Sequence, residues 1–285
     1  MPSPALKQAL AAGEIVVAPG VYDLISALIA DRMGFGALYV TGYGTVASHL
    51  GLPDAGIASY RDMLDRVARI AEMTRTPIIA DADTGYGGLL NVRETVRGYE
   101  RAGVTAIQIE DQVFPKKCGH TPNRPVIPLQ EMVQKIRVAC DSRHSADFLI
   151  VARTDARTDR GLEEAIARGA AFAEAGADVV FVEALESAAE MEACARRIDA
   201  PLLANMANGG RTPILPAAEL QRMGFAISIF PGAGFLAAAA ALETTYADIL
   251  EHGVTTDRSQ LYDFDRFSRL MGFEDVWDFE RRYAS

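Results

Sequence analysis

The chain has 285 residues, of which 49% are hydrophobic and 23% are charged, a composition that is ordinary for a globular protein. Its formal net charge of −10 disfavours a general nucleic-acid or membrane-surface binder, since such a protein needs a basic face. No apolar run reaches the roughly 18–20 residues that span a bilayer, and residues 1–4 lack the layout of a secretory signal. Cys118, Cys140 and Cys194 are an odd number at irregular spacing, so we expect free thiols and a cytoplasmic location.

Short β-branched runs alternate with amphipathic helical runs along most of the chain. The eight predicted strands are residues 15–19, 37–42, 77–83, 106–112, 148–155, 179–184, 201–206 and 225–231. The predicted helices are residues 22–33, 60–74, 92–102, 129–140, 162–175, 188–198, 216–223 and 235–252. The strands are near-continuous hydrophobic runs, which is typical of a parallel sheet buried on both faces. Eight βα units in about 250 residues predict an α/β fold of the (β/α)8 TIM-barrel type, with a doubly wound eight-stranded sheet as the alternative.

The sequence indicates a single domain. It contains no linker or low-complexity segment, and we expect one barrel domain over residues 1–285. Residues 255–285 form a helical C-terminal extension in this prediction, with helical pieces near 261–271 and 274–283. The extension carries more apolar surface than a disordered tail, so we expect it to pack on the barrel or on a neighbouring subunit.

Polar residues follow the predicted strands at the ends where TIM barrels carry their active sites. A purely structural rim would favour capping Ser, Asp or Gly, whereas this chain delivers carboxylates, an arginine and an asparagine at successive strands. These strand-end residues are Thr41, Asp81, Asp83, Glu110, Arg153, Glu183, Asn205 and Ser228. We therefore expect them to meet at one rim of the barrel.

The acidic strand ends predict a metal site. Asp81 and Asp83 are two residues apart on one strand, so their side chains leave the same face and would repel each other unless a cation lies between them. With Glu110 they offer oxygen ligands without a histidine or thiolate pair, which favours Mg²⁺ or Mn²⁺ over zinc. The alternative is that Asp83 caps the following turn and Asp81 pairs with Arg153.

A long loop over residues 113–128 carries Cys118 among cationic neighbours. Lys116, Lys117 and His120 flank the cysteine, and positive charge lowers a thiol pKa, which suits a proton donor or a nucleophile. The alternative is an inert thiol, as expected for the other two cysteines. Loops of this length often act as lids over active sites, so we expect this loop to cover the barrel mouth.

Two further features can bind an anion. Arg153 can hold a substrate carboxylate with two hydrogen bonds, and the alternative is a salt bridge to Glu183 or Asp155, which can coexist with substrate binding. The glycine-rich turns 208–210 and 231–234 can cradle an anion with backbone N–H groups.

Several segments together point to a known family. Residues 81–87 read Asp-Ala-Asp-Thr-Gly-Tyr-Gly and residues 116–120 read Lys-Lys-Cys-Gly-His. Together they resemble the isocitrate lyase/phosphoenolpyruvate mutase superfamily, and the Lys-Lys-Cys-Gly-His loop is a specific motif of its carbon–carbon lyase branch. The resemblance runs in order from Val17 to the end of the predicted eighth helix.

The resemblance implies a TIM barrel whose eighth helix is swapped between neighbouring subunits, as a homotetramer built from two swapped dimers. It implies Mg²⁺ as the cofactor, with Mn²⁺ as a substitute. The candidate metal-site residues, some acting through water, are Asp81, Asp83, Glu110 and Asp54. The candidate substrate-binding residues are Thr41, Gly42, Tyr43, Gly119, Arg153 and Asn205. The candidate catalytic residues are Cys118, Tyr39, His120, Lys117 and Glu183.

The implied reaction is the cleavage of a 2-hydroxy di- or tricarboxylate to pyruvate or another 2-oxo acid plus a carboxylate. Tyr39 matches a tyrosine proposed to help deprotonate the substrate hydroxyl. Cys118 matches the acid that protonates the departing carbanion. We expect a small-molecule partner of this kind, and no nucleic-acid or membrane partner.

The turn after the seventh predicted strand narrows the range of expected substrates. Residues 206–212 read Met-Ala-Asn-Gly-Gly-Arg-Thr, whereas 2-methylisocitrate lyases typically carry Glu-Phe-Gly there. The turn is more similar to that of the 2,3-dimethylmalate lyase, petal death protein and oxaloacetate hydrolase group, and to that of carboxyphosphonoenolpyruvate phosphonomutase. A smaller dicarboxylate is favoured. The alternatives are an oxaloacetate hydrolase or decarboxylase, a phosphonomutase of this superfamily, or a non-catalytic barrel that binds a phosphorylated ligand.

Overall fold

The computed structural model describes residues 2–284. Within them, eight parallel strands follow one another around a closed barrel. The strands are β1 (Val16–Val21), β2 (Leu38–Val40), β3 (Ile78–Asp81), β4 (Ala106–Glu110), β5 (Leu149–Thr154), β6 (Val179–Val182), β7 (Leu202–Asn205) and β8 (Phe225–Phe230). β8 pairs with β1, with Val16 opposite Ile227, which closes the sheet. The predicted TIM barrel is confirmed, and the doubly wound sheet is wrong.

Thirteen helices occur among residues 2–284. They are α1 (Pro4–Ala12), α2 (Leu24–Asp31), α3 (Gly42–Leu50), α4 (Tyr60–Met73), α5 (Leu89–Arg101), α6 (Leu129–Ser142), α7 (Ala156–Arg160), α8 (Leu162–Glu174), α9 (Ala188–Arg197), α10 (Ala217–Met223), α11 (Ala233–His252), α12 (Phe264–Leu270) and α13 (Phe273–Tyr283). The eight predicted helices are present, and the two helical pieces predicted near the C-terminus correspond to α12 and α13. The sequence patterns missed α1, α3 and α7.

Side chains alternate along each strand between the barrel interior and the surrounding helices. Tyr39, Ile79 and Phe181 belong to an inner apolar cluster, and Leu6 of α1 packs against the same cluster. Outward-facing side chains such as Val40 form a second cluster with the helices. Complete burial of one such aliphatic side chain contributes about 1.5–3 kcal/mol, so the buried Leu6 helps to fix α1, which was not predicted, to the barrel.

The seam between β1 and β8 depends on a glycine. A Cβ atom on Gly20 would lie 2.3 Å from the carbonyl oxygen of Pro231, and one on Gly234 would lie 2.8 Å from the carbonyl oxygen of Gly20. Backbone atoms cannot move aside as a side chain can, so these positions exclude any larger residue. Gly234 of the 231–234 turn thus has a packing role at this seam.

The chain has two compact units, one ending at Gly234 and one beginning at Phe235. The barrel lies in the first unit. In the second unit, the buried carboxylate of Asp248 accepts hydrogen bonds from the backbone N–H of Thr256 at 2.6 Å and from the hydroxyl of Ser259 at 2.7 Å. These bonds fix the end of α11 to the turn that follows it. In the described part of the chain, no helix combines the length and the apolar character that crossing a membrane requires.

Candidate active site

Six polar side chains alternate with buried apolar ones at the carboxyl ends of the strands. Asp81 and Arg153 each lie two residues after a member of the inner apolar cluster on the same strand, so both face inward. Glu110 is paired in register with Arg153 on the neighbouring strand. The same spacing brings Tyr39, Glu183 and Asn205 to this side of the barrel, and all six are buried. The structure therefore brings five of the predicted strand-end residues together with Tyr39 at one mouth.

Ser228 is an exception to the predicted rim. It is buried on β8 between Ile227 and Ile229, which both belong to the inner cluster. Because neighbouring residues of a strand point to opposite faces, Ser228 faces the outside of the barrel. The prediction that it lies at the mouth is wrong.

The ammonium group of Lys116 lies among the predicted metal ligands. Its Nζ is 2.6 Å from Oδ1 of Asp54 and 2.6 Å from Oδ1 of Asp83, and the side chain is only 3% exposed. Burial alone would lower the pKa of Lys116, but the surrounding carboxylates raise it well above its usual value. Burial raises the pKa of Asp83 to about 6, and Lys116 offsets part of that rise. The cation nearest to this cluster is thus supplied by the loop.

Glu110 gives the clearest sign that the cluster suits a further cation. Its Oε1 atom is buried and has no hydrogen-bond partner among residues 2–284, while Oε2 is 3.4 Å from Nε of Arg153. Burial raises the pKa of this carboxyl well above its usual range. An uncommitted carboxylate oxygen is a suitable ligand for Mg²⁺ or Mn²⁺.

The carboxylates are not arranged as a completed metal site. Within residues 2–284, no three His, Cys, Asp or Glu side chains converge as metal ligands. Asp81 instead accepts a hydrogen bond from the backbone N–H of Asp83 at 3.0 Å, and Arg153 pairs with Asp155, Glu183 and Glu110 rather than with Asp81. The alternative that Asp81 pairs with Arg153 is therefore wrong. The donor types fit a hard cation, and Lys116 takes part of the space between them.

Tyr39 is held as a protonated phenol. Its hydroxyl donates to Oε1 of Gln108 at 2.9 Å, and the amide nitrogen of Gln108 is 3.5 Å from Oδ1 of Asp81. Burial and the Asp81 carboxylate raise the pKa of Tyr39 well above its usual value. Sequence reasoning missed Gln108, although a polar residue two positions before Glu110 on an apolar strand was a usable signal.

Thr41, Gly42 and Tyr43 form the start of α3. Thr41 is the buried N-cap residue, and the helix begins at Gly42. A Cβ atom at Gly42 would lie 2.5 Å from Oδ2 of Asp81, so glycine allows the helix to start directly beside the carboxylate cluster. The first N–H groups of a helix lack intrahelical acceptors and attract anions. The side chain of Tyr43 is partly exposed.

The Cys118 loop is packed onto the mouth. The backbone N–H of Cys118 donates to the carbonyl oxygen of Asp54 at 3.1 Å. A Cβ atom on Gly119 would lie 2.3 Å from the guanidinium of Arg153 and 2.7 Å from Oε2 of Glu183. The loop backbone therefore touches the polar rim directly, which is the covered arrangement expected of a lid.

The predicted lowering of the Cys118 pKa is wrong. Burial raises the pKa of this thiol, and the hydrogen bond at its sulfur from the backbone of His120 and the charge of Arg153 offset only part of the rise. Two of the expected cations point elsewhere: Lys116 contacts Asp54 and Asp83, and Lys117 is exposed with its Nζ 3.5 Å from the carbonyl oxygen of Asn123. The structure thus leaves the side chain of Lys117 outside the mouth, and the thiol stays protonated at neutral pH.

His120 meets the rim at Asn205 and Glu183. Its Nε2 is 3.3 Å from the amide nitrogen of Asn205, which also donates to Oε2 of Glu183 at 3.1 Å. A Cβ atom on Gly210 would lie 2.7 Å from Cε1 of His120. The glycine-rich turn after β7 therefore packs against the imidazole.

Arg153 is oriented by three carboxylates. Its Nε and one terminal nitrogen each donate to Asp155 at 2.9 Å, and the same terminal nitrogen is 3.2 Å from Oε2 of Glu183. The guanidinium also lies over the ring of Phe181, 5.1 Å from its centre. The predicted salt-bridge alternative is present, and it holds the guanidinium in a fixed orientation.

Comparison with known proteins places this site in a family. The family model described as phosphoenolpyruvate phosphomutase matches residues 6–250. The chain is 45% identical over 281 residues to a 2,3-dimethylmalate lyase of Eubacterium barkeri, covering 98% of this chain and 97% of the relative. It is 44% identical over 284 residues to a 2-methylisocitrate lyase of Aeropyrum pernix, covering 99% of this chain and 90% of the relative.

Solved structures give the same result. A crystal structure of 2,3-dimethylmalate lyase, a PEP mutase/isocitrate lyase superfamily member, matches with a TM-score of 0.92 and 38% identity, covering 100% of this chain and 97% of that one. An oxaloacetate acetylhydrolase with the inhibitor 3,3-difluorooxalacetate matches with a TM-score of 0.91 and 38% identity, covering 97% and 95%. A phosphonopyruvate hydrolase complex with oxalate and Mg²⁺ matches with a TM-score of 0.89 and 30% identity, covering 100% of both chains. The chain therefore belongs to the phosphoenolpyruvate phosphomutase family and is an enzyme of the PEP mutase/isocitrate lyase superfamily.

Proposed function

We propose that this enzyme is a Mg²⁺-dependent carbon–carbon lyase. Its substrate is a 2-hydroxy di- or tricarboxylate of the 2-alkylmalate or 2-methylisocitrate type, and its products are a 2-oxo acid such as pyruvate and a carboxylate. The observation that carries this proposal is the packing of the Cys118 loop against Asp54 and Arg153, over a mouth that combines carboxylates with this arginine. Burial raises the pKa of the Cys118 thiol, so the thiol keeps its proton. The two lyases that share 45% and 44% identity with the chain support the proposal.

The substrate carboxylate next to the hydroxyl has two cationic or electropositive groups to bind. Asp155 accepts two hydrogen bonds from Arg153 and so orients the guanidinium. The other terminal nitrogen can donate a charge-assisted hydrogen bond to the substrate carboxylate. The first N–H groups of α3, at Gly42 and Tyr43, lie on the same side of the barrel as Asp81. These groups would fix the hydroxyl-bearing carbon above the carboxylate cluster.

The divalent cation has a defined set of candidate ligands. Asp81, Asp83, Glu110 and Asp54 would hold Mg²⁺ directly or through water, with Mn²⁺ as a substitute, and the unpartnered Oε1 of Glu110 is the strongest reason to include that residue. A bound cation would lower the pKa of the substrate hydroxyl and neutralise developing oxyanion charge. The phosphonopyruvate hydrolase complex with Mg²⁺ supports this choice of ion.

The chain's own groups account for the proton transfers. The hydroxyl proton passes to a carboxylate of the Asp81, Asp83 and Glu110 cluster. The carbon–carbon bond then breaks to give the 2-oxo acid, and the bonding electron pair remains on the departing carboxylate as a carbanion. Cys118 then donates its S–H proton to that carbon. Because Tyr39 is held protonated by Gln108, we propose that it orients the hydroxyl in this state rather than removing its proton.

Three residues of the rim form the group that would bind the departing carboxylate. His120, Asn205 and Glu183 form a hydrogen-bonded group beside Gly119, and the amide and imidazole can donate to carboxylate oxygens. With the loop closed, water is excluded from the carbanion, so that Cys118 is its nearest acid.

A panel of substrates tests the proposed reaction. Pyruvate release is measured with 2-methylisocitrate, 2,3-dimethylmalate, other 2-alkylmalates and citramalate, each with Mg²⁺ and with EDTA. We expect Mg²⁺-dependent pyruvate from at least one 2-alkylmalate or from 2-methylisocitrate. Turnover of none of these acids, or turnover that survives EDTA, would overturn the proposal.

An oxaloacetate hydrolase is the second candidate function. It is favoured by the 38% identity and TM-score of 0.91 to oxaloacetate acetylhydrolase and by the glycine-rich turn against His120. Oxaloacetate belongs in the same panel, where oxalate plus acetate indicates hydrolysis and pyruvate plus carbon dioxide indicates decarboxylation. A phosphonomutase acting on carboxyphosphonoenolpyruvate would convert none of these acids.

We further propose a homotetramer made of two helix-swapped dimers, with residues 255–285 as a helical extension of a single barrel domain. Exposed apolar side chains along the second unit support a subunit interface there, among them Leu242, Leu250, Phe264 and Phe279. Large exposed apolar surfaces are unusual on monomers. The three free thiols fit a reducing, cytoplasmic location.

A further inference from the structure

Arg124 is a buried arginine that the proposed reaction does not use. It lies in the loop between β4 and α6, and its side chain is fully buried. Its Nε donates to the carbonyl oxygen of Thr121 at 2.7 Å, one terminal nitrogen donates to Asp155, and the other donates to Oγ1 of Thr158 at 2.8 Å. All three nitrogens of the guanidinium thus have separate acceptors.

The first of these contacts leads to the catalytic thiol. The backbone N–H of Thr121 donates to the carbonyl oxygen of Cys118 at 3.0 Å, and the Thr121 hydroxyl donates to the same oxygen at 2.8 Å. Arg124 holds the carbonyl of Thr121, and Thr121 holds the carbonyl of Cys118. The turn that carries the thiol is therefore tied to a buried cation through one intervening residue.

The second contact leads to the substrate-binding arginine. Asp155 accepts the hydrogen bond from Arg124 and also accepts two from Arg153, each at 2.9 Å. Its backbone N–H donates to Oδ1 of Asp111 at 2.9 Å, which fixes the residue at the end of β5. One carboxylate thus orients two guanidinium groups, one from the barrel and one from the loop.

We propose that Arg124 is a positioning residue that couples the closed position of the Cys118 loop to the orientation of Arg153 through Asp155. The planar guanidinium can reach Thr121, Asp155 and Thr158 at the same time, and an ammonium group cannot reproduce this fork. The roles of Cys118 and Arg153 in this proposal rest on the proposed function. The chain of contacts itself does not.

The reactivity of Cys118 tests the coupling without any substrate. The rate of alkylation by iodoacetamide is measured for Cys118 and Cys140 in the same sample by peptide mass spectrometry. Cys140 is a suitable internal reference because it is also partly buried and its thiol donates to the carbonyl oxygen of Gly176. The variants are Arg124→Met, which removes the guanidinium, and Arg124→Lys, which keeps the charge.

Both variants are expected to raise the alkylation rate of Cys118 relative to Cys140, by about tenfold or more for Arg124→Met, since losing a charge-assisted hydrogen bond shifts an equilibrium by such a factor. Arg197→Met is the matched control, because both terminal nitrogens of Arg197 donate to Glu163, on a helix that carries neither cysteine. The control should leave the ratio unchanged.

Thr158→Val keeps the test decisive if Arg124→Met fails to fold. It removes only the hydroxyl that accepts from Arg124, and we expect a smaller rise in the same ratio. A ratio within about twofold of the wild type in folded Arg124→Lys and Thr158→Val would overturn the coupling, because that difference is below the strength of an ordinary hydrogen bond. A wild-type enzyme without lyase activity would contradict the proposed function, but it would not affect this test of the coupling.

Discussion

Cys118 shows why the surroundings of a thiol matter more than its neighbours in sequence. The adjacent lysines suggested a thiolate, but their ammonium groups are turned toward Asp54, Asp83 and the solvent side of the loop. Burial then dominates and raises the thiol pKa. A nucleophile would be weakened by this change, whereas an acid is kept in its proton-carrying form.

The Cys118→Ser variant should reduce turnover strongly. A hydroxyl is a far weaker acid than a thiol, and losing a general acid typically lowers kcat by about 10²–10⁴-fold. The variant should melt near the wild-type temperature and bind Mg²⁺ normally, since the side chains differ by one atom. The measurement is kcat for pyruvate release, with Cys140→Ser as the control. An unchanged kcat in Cys118→Ser would contradict the proposed role of Cys118 as the general acid.

Asp83→Ala should abolish both Mg²⁺ binding and activity. The change removes a candidate ligand and leaves the ammonium of Lys116 paired with Asp54, so that the cluster loses negative charge and a donor oxygen. Isothermal titration with Mg²⁺ measures binding separately from catalysis. Asp199→Ala, at an exposed site, is the control and should titrate like the wild type. Normal Mg²⁺ affinity in Asp83→Ala would exclude this carboxylate from the site.

At the scale of elements, the strands were predictable and the short helices were not. Strands buried on both faces leave continuous apolar runs, and each predicted strand contains most of an observed one. α3 was missed because Gly42 and Gly44 suggest a turn, whereas the close approach to Asp81 is what requires glycine at position 42. Predicted strands also extend too far, because residues such as Thr41 leave the sheet to begin a helix.

The sequence predicted that the loop between β4 and α6 covers the barrel mouth, but it did not predict which contacts hold the loop there. Two of the three partners of Arg124 are 31 and 34 positions away along the chain, and nothing in local spacing connects Arg124 with these two. The position of Lys116 was equally hard to predict, because two strands and two helices separate it from its partner Asp54 along the chain. Sequence reasoning finds residues that share a motif, whereas contacts between loops depend on the closed barrel.

Gly119→Ala should disturb the loop without unfolding the barrel. A methyl group there would lie 2.3 Å from the guanidinium of Arg153, so the loop must move away from the rim. Displacing a catalytic group by about 1 Å can cost about 10²-fold in rate, and we expect a loss of this order in kcat/KM. Gly88→Ala is the control, since a Cβ atom at Gly88 meets open space. Equal kcat/KM for both variants would contradict the contact.

At the scale of the whole molecule, the apolar surface of the second unit is its most unusual property. Leu250 is 89% exposed, and α11 and α13 carry further exposed leucine and aromatic side chains. Surfaces of this kind are expected to be buried between subunits. The proposed tetramer would provide that burial.

Leu250→Glu should weaken the assembly. A charge placed in an apolar interface has to be desolvated, so the variant should show a lower mass than the wild type by size-exclusion chromatography with light scattering. Met33→Glu introduces the same charge at a position that is 67% exposed but lies in the barrel unit, and it should leave the mass unchanged. A monomeric wild type, or equal masses for both variants, would argue against an interface at Leu250.

The seam between β1 and β8 has a consequence for how the enzyme is made. Ribosomal synthesis delivers its two strands at opposite ends of the barrel sequence, with Val16 emerging long before its partner Ile227. Until then, the nascent chain exposes two unpaired strand edges, which are templates for aggregation. Such distant pairing also slows folding, because the ends of a long segment must meet first. The barrel therefore cannot close until β8 has been synthesised.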